Sequence, residues 1–350
     1  MERDRPSVLL VADIADSNLD RKLVQEWESS ESVEFIRQTL ETLGETVRIV
    51  PSPSHLLGLL AENATTPFEE RPVLFHLVEG YLSRNREAWL PAVAEYFGFP
   101  HTGSDAHSQI LSLDKHTSKM VASSLGIPTA DWGICGSGRE GVLPTSEKYP
   151  IFIKPRYEGS SLGIGEENRV QKESDLNSFL GTEERSRTSW IWEVFLPGTE
   201  WTLAVIGSPS VGYRASEVGR ISLEEAEENV YGEKTKTKSH MPEKIRFDSD
   251  PTISRKIREH SLRLCEFVGT SGAVRLDWKA DEGGRPNFLE WNSTPGLSPF
   301  YSSFPICYSQ SFGDYSSLLA KLLEIARIEF QEARFLYAKN QSRREILEGL

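Results

Sequence analysis

Apolar positions along the chain keep two rhythms. In the first third, short apolar runs of strand length alternate with helical stripes; SVLLVA at 7–12, TVRIV at 46–50 and VLFHLV at 73–78 are the runs. Val33, Ile36, Leu40 and Leu43 fall on one helical face between the first two, with Gly44 as the stop. Further helices are predicted over 86–96, ending at Gly98, and over 115–125, stopped by Gly126-Ile127-Pro128. Strand and helix in alternation predict an open α/β unit with a largely parallel sheet. After the loop CGSGREG at 135–141 the rhythm changes. IFIKP (151–155), WIWEVF (190–195), WTLAVIG (201–207) and 268–290 are strand-like at short spacing, which predicts one antiparallel sheet. From 314 onward Leu318, Leu319, Leu322, Leu323 and Ala326 form a helical stripe, and the end of the chain is charged.

A length of 350 residues leaves room for two or three domains. The net charge of −13 speaks against nucleic acid as a partner, since a phosphate backbone needs a basic face. It leaves room for one anionic ligand held by a few local cations. Cys135, Cys265 and Cys307 are far apart and form no CxxC, so buried thiols are expected rather than a zinc cage or disulfides. The first residues hold too short an apolar run for a signal peptide, and no run approaches the roughly 20 apolar residues of a membrane span. A cytoplasmic protein without a membrane partner is the expectation.

The chemistry concentrates in AVRLDWKADEGGRPNFLEWNSTPGLSP at 273–299. A two-residue turn at Gly283-Gly284 sets Asp277 opposite Glu290 and Arg275 opposite Asn292, all on one strand face. Val274, Leu276 and Trp278 against Leu289 and Trp291 then make the apolar face. Facing carboxylates repel, unless a divalent cation neutralises them; Mg²⁺ prefers such oxygen ligands, with open positions for phosphate. A merely exposed acidic face is the competing reading.

YPIFIKPRYEGSSLGIG at 149–165 is a strand, Lys154 and a Gly/Ser loop whose N–H groups can cradle phosphate. It lacks the Walker spacing. GSSLG at 159–163 fits the G-x-S-x-G of hydrolases, but no amphipathic helix follows it; a plain surface loop is the other alternative. Lys115 opens a helix, Glu193 and Glu200 flank the turn Leu196-Pro197-Gly198, and VYGEKTKTK at 230–238 is either a solvated loop or a lid over phosphates.

Together TGSD (102–105), LDKHTSK (113–119), IKPRYEGSSLG (153–163), WEVFLPGTEWTLAV (192–205) and RLDWKADEGGRPNFLEWNSTPGL (275–297) resemble the D-alanine–D-alanine ligase branch of the ATP-grasp superfamily. The resemblance implies an α/β (α+β) ATP-grasp fold, with an N-terminal open parallel-sheet domain at 1–112. Two α+β lobes at 113–186 and 187–330 would clamp ATP, and a charged helix or tail would fill 331–350. It implies an ADP-forming ligase that phosphorylates one carboxylate with ATP and lets an amine attack the acyl phosphate. Asp277, Glu290 and Asn292 would hold two Mg²⁺ (or Mn²⁺) ions; Lys115, Lys154 and Lys236 would meet ATP phosphates. Glu193 and Leu196 would hold adenine and Glu200 the ribose. Arg275 would stabilise the tetrahedral adduct, Ser160 would sit at the closing loop, and Glu31 would receive the first substrate's amine. Partners would be amino acids or similar small molecules, with a homodimer through the N-terminal domain.

The departures fall at the amino-acid pockets. The family's HGxxGEDG reads HLVEGYLSRNREA at 76–88, keeping His76 and bringing Arg84 and Arg86, which suit a substrate with an extra anionic group. Thr237 stands where a tyrosine is expected, and a serine–leucine pair reads Tyr301-Ser302. These changes leave a second reading open, an ATP-binding regulatory protein without catalysis.

Overall fold

The structure is a computed structural model. It describes residues 6–15, 27–51, 53–63, 65–80, 83–136, 143–159, 164–222 and 244–348, except the side chains of 53, 54, 244 and 334–348.

The chain opens with β1 (Val8–Ala12), the short pair β2 (Ile14–Ala15) and β3 (Glu28–Ser29), α1 (Ser30–Thr42), β4 (Val47–Val50), α2 (Pro53–Glu62), β5 (Val73–Leu77), α3 (Trp89–Phe97) and α4 (Ala106–Leu113). β4, β1 and β5 form a parallel sheet in that order, as the alternating pattern predicts. β1 is apolar throughout because both of its faces are covered. Val8, Leu10 and Ala12 pack with Val33, Ile36 and Leu40 of α1. Leu9 and Val11 pack with Leu56, Leu60, Leu90 and Ala94 on the other side. Ser29 caps α1 by accepting from Ser32 N–H, and the helix closes with Gly44 N–H to Glu41 O and Glu45 N–H to Leu40 O. Leu43, expected on the buried stripe, is half-exposed and caps the C-terminus of the helix.

Next come α5 (Lys115–Ser124), β6 (Trp132–Gly136), β7 (Ile151–Pro155), β8 (Arg169–Val170), α6 (Glu173–Leu180), α7 (Glu183–Arg187) and β9 (Ser189–Val194). β6, β9, β7 and β8 make an antiparallel sheet in that order. The single antiparallel sheet expected from the sequence is therefore two. β9 belongs to this first one, so the change of sheet falls at 195–199 rather than at 186. There Phe195 N–H still bonds Pro150 O, whereas Gly198 N–H already bonds Ala280 O of the next sheet. Pro197, between them, has no N–H to continue the first ladder.

The last part holds β10 (Glu200–Ser208), β11 (Gly212–Ala215), β12 (Gly219–Ser222), β13 (Lys244–Arg246), α8 (Pro251–Val268), β14 (Gly272–Ala280), β15 (Pro286–Asn292), α9 (Ser303–Ser311) and α10 (Tyr315–Glu348). Its sheet runs β13-β12-β10-β14-β15, with β11 also on β10. One face packs Leu203, Val205, Leu276, Trp278 and Phe288 against Ile257 and Leu264 of α8. The other reaches the N-terminal sheet through Ala204, Ile206, Ala273 and the α10 leucines. At the head of β14, Gly272 (φ +79°) lies on the TGSD loop; a Cβ there would come within 3.0 Å of Gly103 Cα and N. α10 runs unbroken through 331, so no separate tail element begins there.

The β14–β15 turn differs from expectation in a way that matters. It is not a two-residue turn on Gly283-Gly284. Gly284 N–H bonds Asp281 O and Asp281 N–H bonds Arg285 O, and only Gly284 of the glycine pair has positive φ (+77°). This is a type I turn followed by a left-handed glycine. Asp281 Oδ1 holds it by accepting from Gly283 and Arg285 N–H at 3.0 and 2.9 Å. A bulge beyond Asp277 then restores the lost residue, so Asp277 still faces Glu290 and Arg275 still faces Asn292. Trp278 consequently pairs with Phe288 rather than Leu289.

All three cysteines are buried, and none is in a disulfide. Among the described residues no helix is long and apolar enough to cross a membrane.

Candidate active site

The β14–β15 hairpin shows one polar face. Thr202, registered beside Asp277 on β10, donates its hydroxyl to Asp277 Oδ1 at 2.7 Å. Arg275, two residues back on the same strand, donates Nε–H and Nη2–H to Asp277 Oδ2 at 3.0 and 2.9 Å. Burial pushes the Asp277 carboxyl above its ordinary range; Arg275 pulls it down, and the Glu290 charge pushes it further up. Asn292 Oδ1 spends one lone pair on Thr294 N–H at 2.8 Å.

Opposite lie three lysines. α5 begins on Asp114, which caps His116 and Thr117 N–H. The same carboxylate takes Nε–H and Nη2–H of Arg156 at 2.6 and 2.5 Å, fastening the start of α5 to the end of β7. Lys115 and Lys119 are one turn apart on α5 and share a face. Lys115 Nζ donates to Glu158 O and stands 3.6 Å from Glu290 Oε2. Lys154, at the end of β7, is 2.8 Å from Glu193 Oε1 on β9. Lys119, fully enclosed, is 3.3 Å from Glu193 Oε2. Burial raises the Glu193 carboxyl, but the Lys119 and Lys154 charges outweigh it, and the net direction is down. Leu196 is buried just beyond, and Glu200 bonds Lys279 across β10 and β14 at 2.7 Å.

A third group joins the N-terminal part to the 293–302 segment. Glu28 is buried and accepts Leu297 N–H at 3.3 Å and Tyr301 O–H at 3.1 Å. Ser32 donates to Ser298 Oγ at 2.8 Å, and Ser302 N–H bonds Ser298 O. Burial pushes the Glu28 carboxyl up, against the pull of these donors. His76 is buried on β5, with Nε2 3.1 Å from Val78 O.

These three groups sit on the fold of a known family. The family model described as D-ala D-ala ligase C-terminus matches residues 121–324. The chain belongs to that family. A D-alanine–D-alanine ligase of Aquifex aeolicus (strain VF5) is 29% identical over 229 residues, 65% of this chain and 74% of that protein. One of Mycolicibacterium gilvum (strain PYR-GCK) is 26% identical over 293 residues, covering 80% and 77%. The solved D-alanine–D-alanine ligase from Coxiella burnetii superposes with a TM-score of 0.70 at 19% identity, over 97% of this chain and 99% of that one. The Bacillus anthracis enzyme complexed with ATP gives 0.69 at 18%, over 93% and 99%. The architecture is the ATP-grasp fold expected from the sequence.

In this D-ala D-ala ligase family member the residues singled out from sequence fall into different situations. Arg275, Asp277, Glu290, Asn292 and Lys115 lie along one set of ion pairs and strand neighbours, while Lys154 pairs with Glu193 and also feels the Glu290 charge. Ser160 and Lys236 lie outside the described residues. Glu31 is exposed on the first turn of α1. The acid that reaches inward is Glu28, three residues earlier, because β3 carries it under the 293–302 segment before the helix begins. Arg86 is buried with its charge met by Glu87 at 3.3 Å and Glu158 at 3.8 Å, and Arg84 is exposed. That arrangement removes the reason to assign the pair to a substrate anion. Sequence reasoning missed Glu28, Thr202 and Lys119. For Lys119 a signal was available in the i,i+4 spacing from Lys115.

Asp277, Glu290 and Asn292 offer two anionic oxygens and an amide oxygen, a donor set that Mg²⁺ or Mn²⁺ accepts, provided Arg275 yields part of Asp277. Among the described residues no three His, Cys, Asp or Glu side chains gather. A metal here would therefore take the amide oxygen as well as the two carboxylates, with positions left over for other oxygens.

His76 gives a pH prediction. Burial, with His101 nearby, pushes its imidazole from 6.5 down to about 3. The unfolded chain takes up a proton as pH falls through 6.5 and the folded one does not. The stability held above 6.5 is thus lost as pH falls toward the folded value. The unfolding free energy of the wild type should drop relative to His76→Asn by about 1.4 kcal/mol per pH unit below 6.5. Urea titrations at pH 7 and pH 5 measure it; a constant difference would contradict a neutral buried His76.

Proposed function

We propose that this chain is an ATP-dependent, ADP-forming ligase that joins the carboxylate of one amino acid to the amine of another. The observation that carries the reading is Lys115 set against Glu290 on the polar face of Arg275, Asp277, Glu290 and Asn292, with Lys154 under the influence of the same Glu290 charge, on an ATP-grasp fold. Transferring a phosphoryl group between anions needs little covalent chemistry from the protein; it needs positioning and charge screening.

Lys115 and Lys154 orient the ATP phosphates, and Glu193 with the buried Leu196 takes the adenine. Glu200 turns from Lys279 to the ribose. Asp277, Glu290 and Asn292 would hold Mg²⁺, which would supply neutralisation of phosphate charge. Arg275 then bears on the anionic adduct as the amine attacks the acyl phosphate and phosphate leaves. Glu28, rather than Glu31, receives an amino group, because its carboxylate is buried beside the 293–302 segment, where backbone and hydroxyl groups hold it. Ser160 and Lys236 keep the roles that the resemblance implies.

The curated relatives are named for D-alanine, which makes D-alanine with itself the first pair to test. Tyr301, bonded to Glu28, changes the wall of that pocket and directs the panel further. The experiment is ADP release with pairs of D- and L-amino acids, with mass spectrometry of products. ADP released together with a product one water lighter than the pair supports the ligase. Nucleotide binding with no turnover on any pair supports the regulatory reading instead.

A further inference from the structure

Two lysines serve one carboxylate in the wall between α5 and the antiparallel sheet of β6 to β9. Lys154 sits at the rim and Lys119 has no exposed surface. Lys119 Nζ donates to Thr129 Oγ1 at 2.8 Å and to Phe288 O at 3.2 Å, besides its 3.3 Å contact with Glu193 Oε2. Every donor it has points into protein, so it cannot touch a phosphate. Glu193 is buried too, though not completely, and its Oε1 has no hydrogen bond of good geometry among the described residues, although Lys154 Nζ stands 2.8 Å away.

A buried carboxylate needs a counter-charge, and removing it leaves an uncompensated ion. If Lys154 were the sole cation there, it could not turn to a nucleotide phosphate without stranding Glu193. Lys119 removes that conflict. It holds Oε2 permanently, keeps the carboxylate ionised, and leaves Oε1 as an anionic acceptor.

We propose that Lys119 is a positioning residue that fixes Glu193 as an acceptor for an amino group, so that the site selects a 6-amino purine nucleotide over a 6-oxo one. The inference rests on the reading that Glu193 meets the base. An exocyclic NH₂ donates to Oε1; the carbonyl oxygen of hypoxanthine or guanine would present a second acceptor to a fixed negative charge. Burial pulls the Lys119 ammonium down to about 8, with Lys154 adding to the fall, and the Glu193 carboxylate is the main charge that opposes it.

The test is calorimetric binding of ATP and of ITP, which differ at purine position 6, to the full chain with Mg²⁺ and no amino acid. In the wild type ATP should bind more tightly than ITP. Lys119→Met should reduce that Kd ratio about 10- to 100-fold, by weakening ATP rather than ITP. A general loosening of the fold would weaken both equally and leave the ratio intact. That outcome overturns the proposal. Should Lys119→Met fail to fold, Lys119→Met with Glu193→Gln removes both charges together. It should fold and show no preference, and a retained preference overturns the proposal. If the wild type itself shows no preference for ATP, the placement of the base at Glu193 fails, and the role of Lys119 falls with it.

Discussion

Asp277→Asn should lower ATP-dependent ligation by about 10²- to 10³-fold, the range for losing one electrostatic contact to a developing charge. The substitution preserves shape and deletes one of two facing anions. Thr202 can still donate to the oxygen that the amide retains, but Arg275 then faces a neutral group where it now makes two hydrogen bonds to Oδ2. The fold should survive. Burial and the Glu290 charge both disfavour ionised Asp277 in the native state, so its charge opposes folding above its unfolded pKa. The thermal midpoint at pH 7 should therefore hold or rise while turnover falls, as expected where a site keeps charges for function at the expense of stability. Glu290→Gln should act in the same direction. Steady-state ADP release and Mg²⁺ titration of nucleotide binding read the effect. Turnover within about threefold of wild type, at unchanged Mg²⁺ dependence, would sink the metal assignment.

The second large effect lies on the opposite face of the same hairpin. Trp278→Ala should cost about 3–5 kcal/mol of unfolding free energy. Trp278 is completely enclosed; its ring stacks on His260 (centroids 6.0 Å apart, planes at 22°) and meets the edge of Phe288 at 5.8 Å. Its Nε1–H donates to the buried Ser261 hydroxyl at 3.2 Å. Alanine leaves a cavity bounded by α8 and β15 that neither backbone can close, since Trp278 sits mid-strand with β10 on one side and β15 on the other. Trp278→Phe should lose less, chiefly the Ser261 bond. Urea denaturation followed by far-ultraviolet circular dichroism measures both; a loss under about 1 kcal/mol for alanine would mean the core collapses around the gap. Trp278 directly follows Asp277, so the alanine variant should also blunt Mg²⁺ dependence before it unfolds.

The hairpin illustrates how sequence and structure divided the information. Alternation of polar and apolar residues over 274–292 specified which side chains share a face, and the Gly-Gly pair marked where the chain turns back. The facing of Asp277 and Glu290 followed. The turn type did not, because Asp281 hydrogen-bonds two backbone N–H groups and so favours a turn needing one left-handed residue rather than two. A bulge then compensates, and Phe288 takes the core position expected of Leu289. Local pattern fixes faces; register beyond the turn depends on packing under Trp278.

Glu28 and Lys119 show the other limit. Glu28 and Glu31 are three residues apart beside the same helix start, and nothing local separates a buried acid from an exposed one. What separates them is the 293–302 segment folded over β3, far away in sequence. Lysine is a surface residue by default, so Lys119 reads as solvated until Glu193, Thr129 and Phe288 O are seen to enclose it.

By itself the sequence determined the parallel N-terminal sheet, the ATP-grasp resemblance and the polar strand face, because these depend on residue type at fixed short periods. Only the tertiary structure decided that the antiparallel strands form two sheets, that Glu28 rather than Glu31 points inward, and that Arg86 is already neutralised by Glu87 and Glu158. The physical reason is common to all three. Burial and charge compensation are set by which distant segments meet, and a linear pattern holds no record of that.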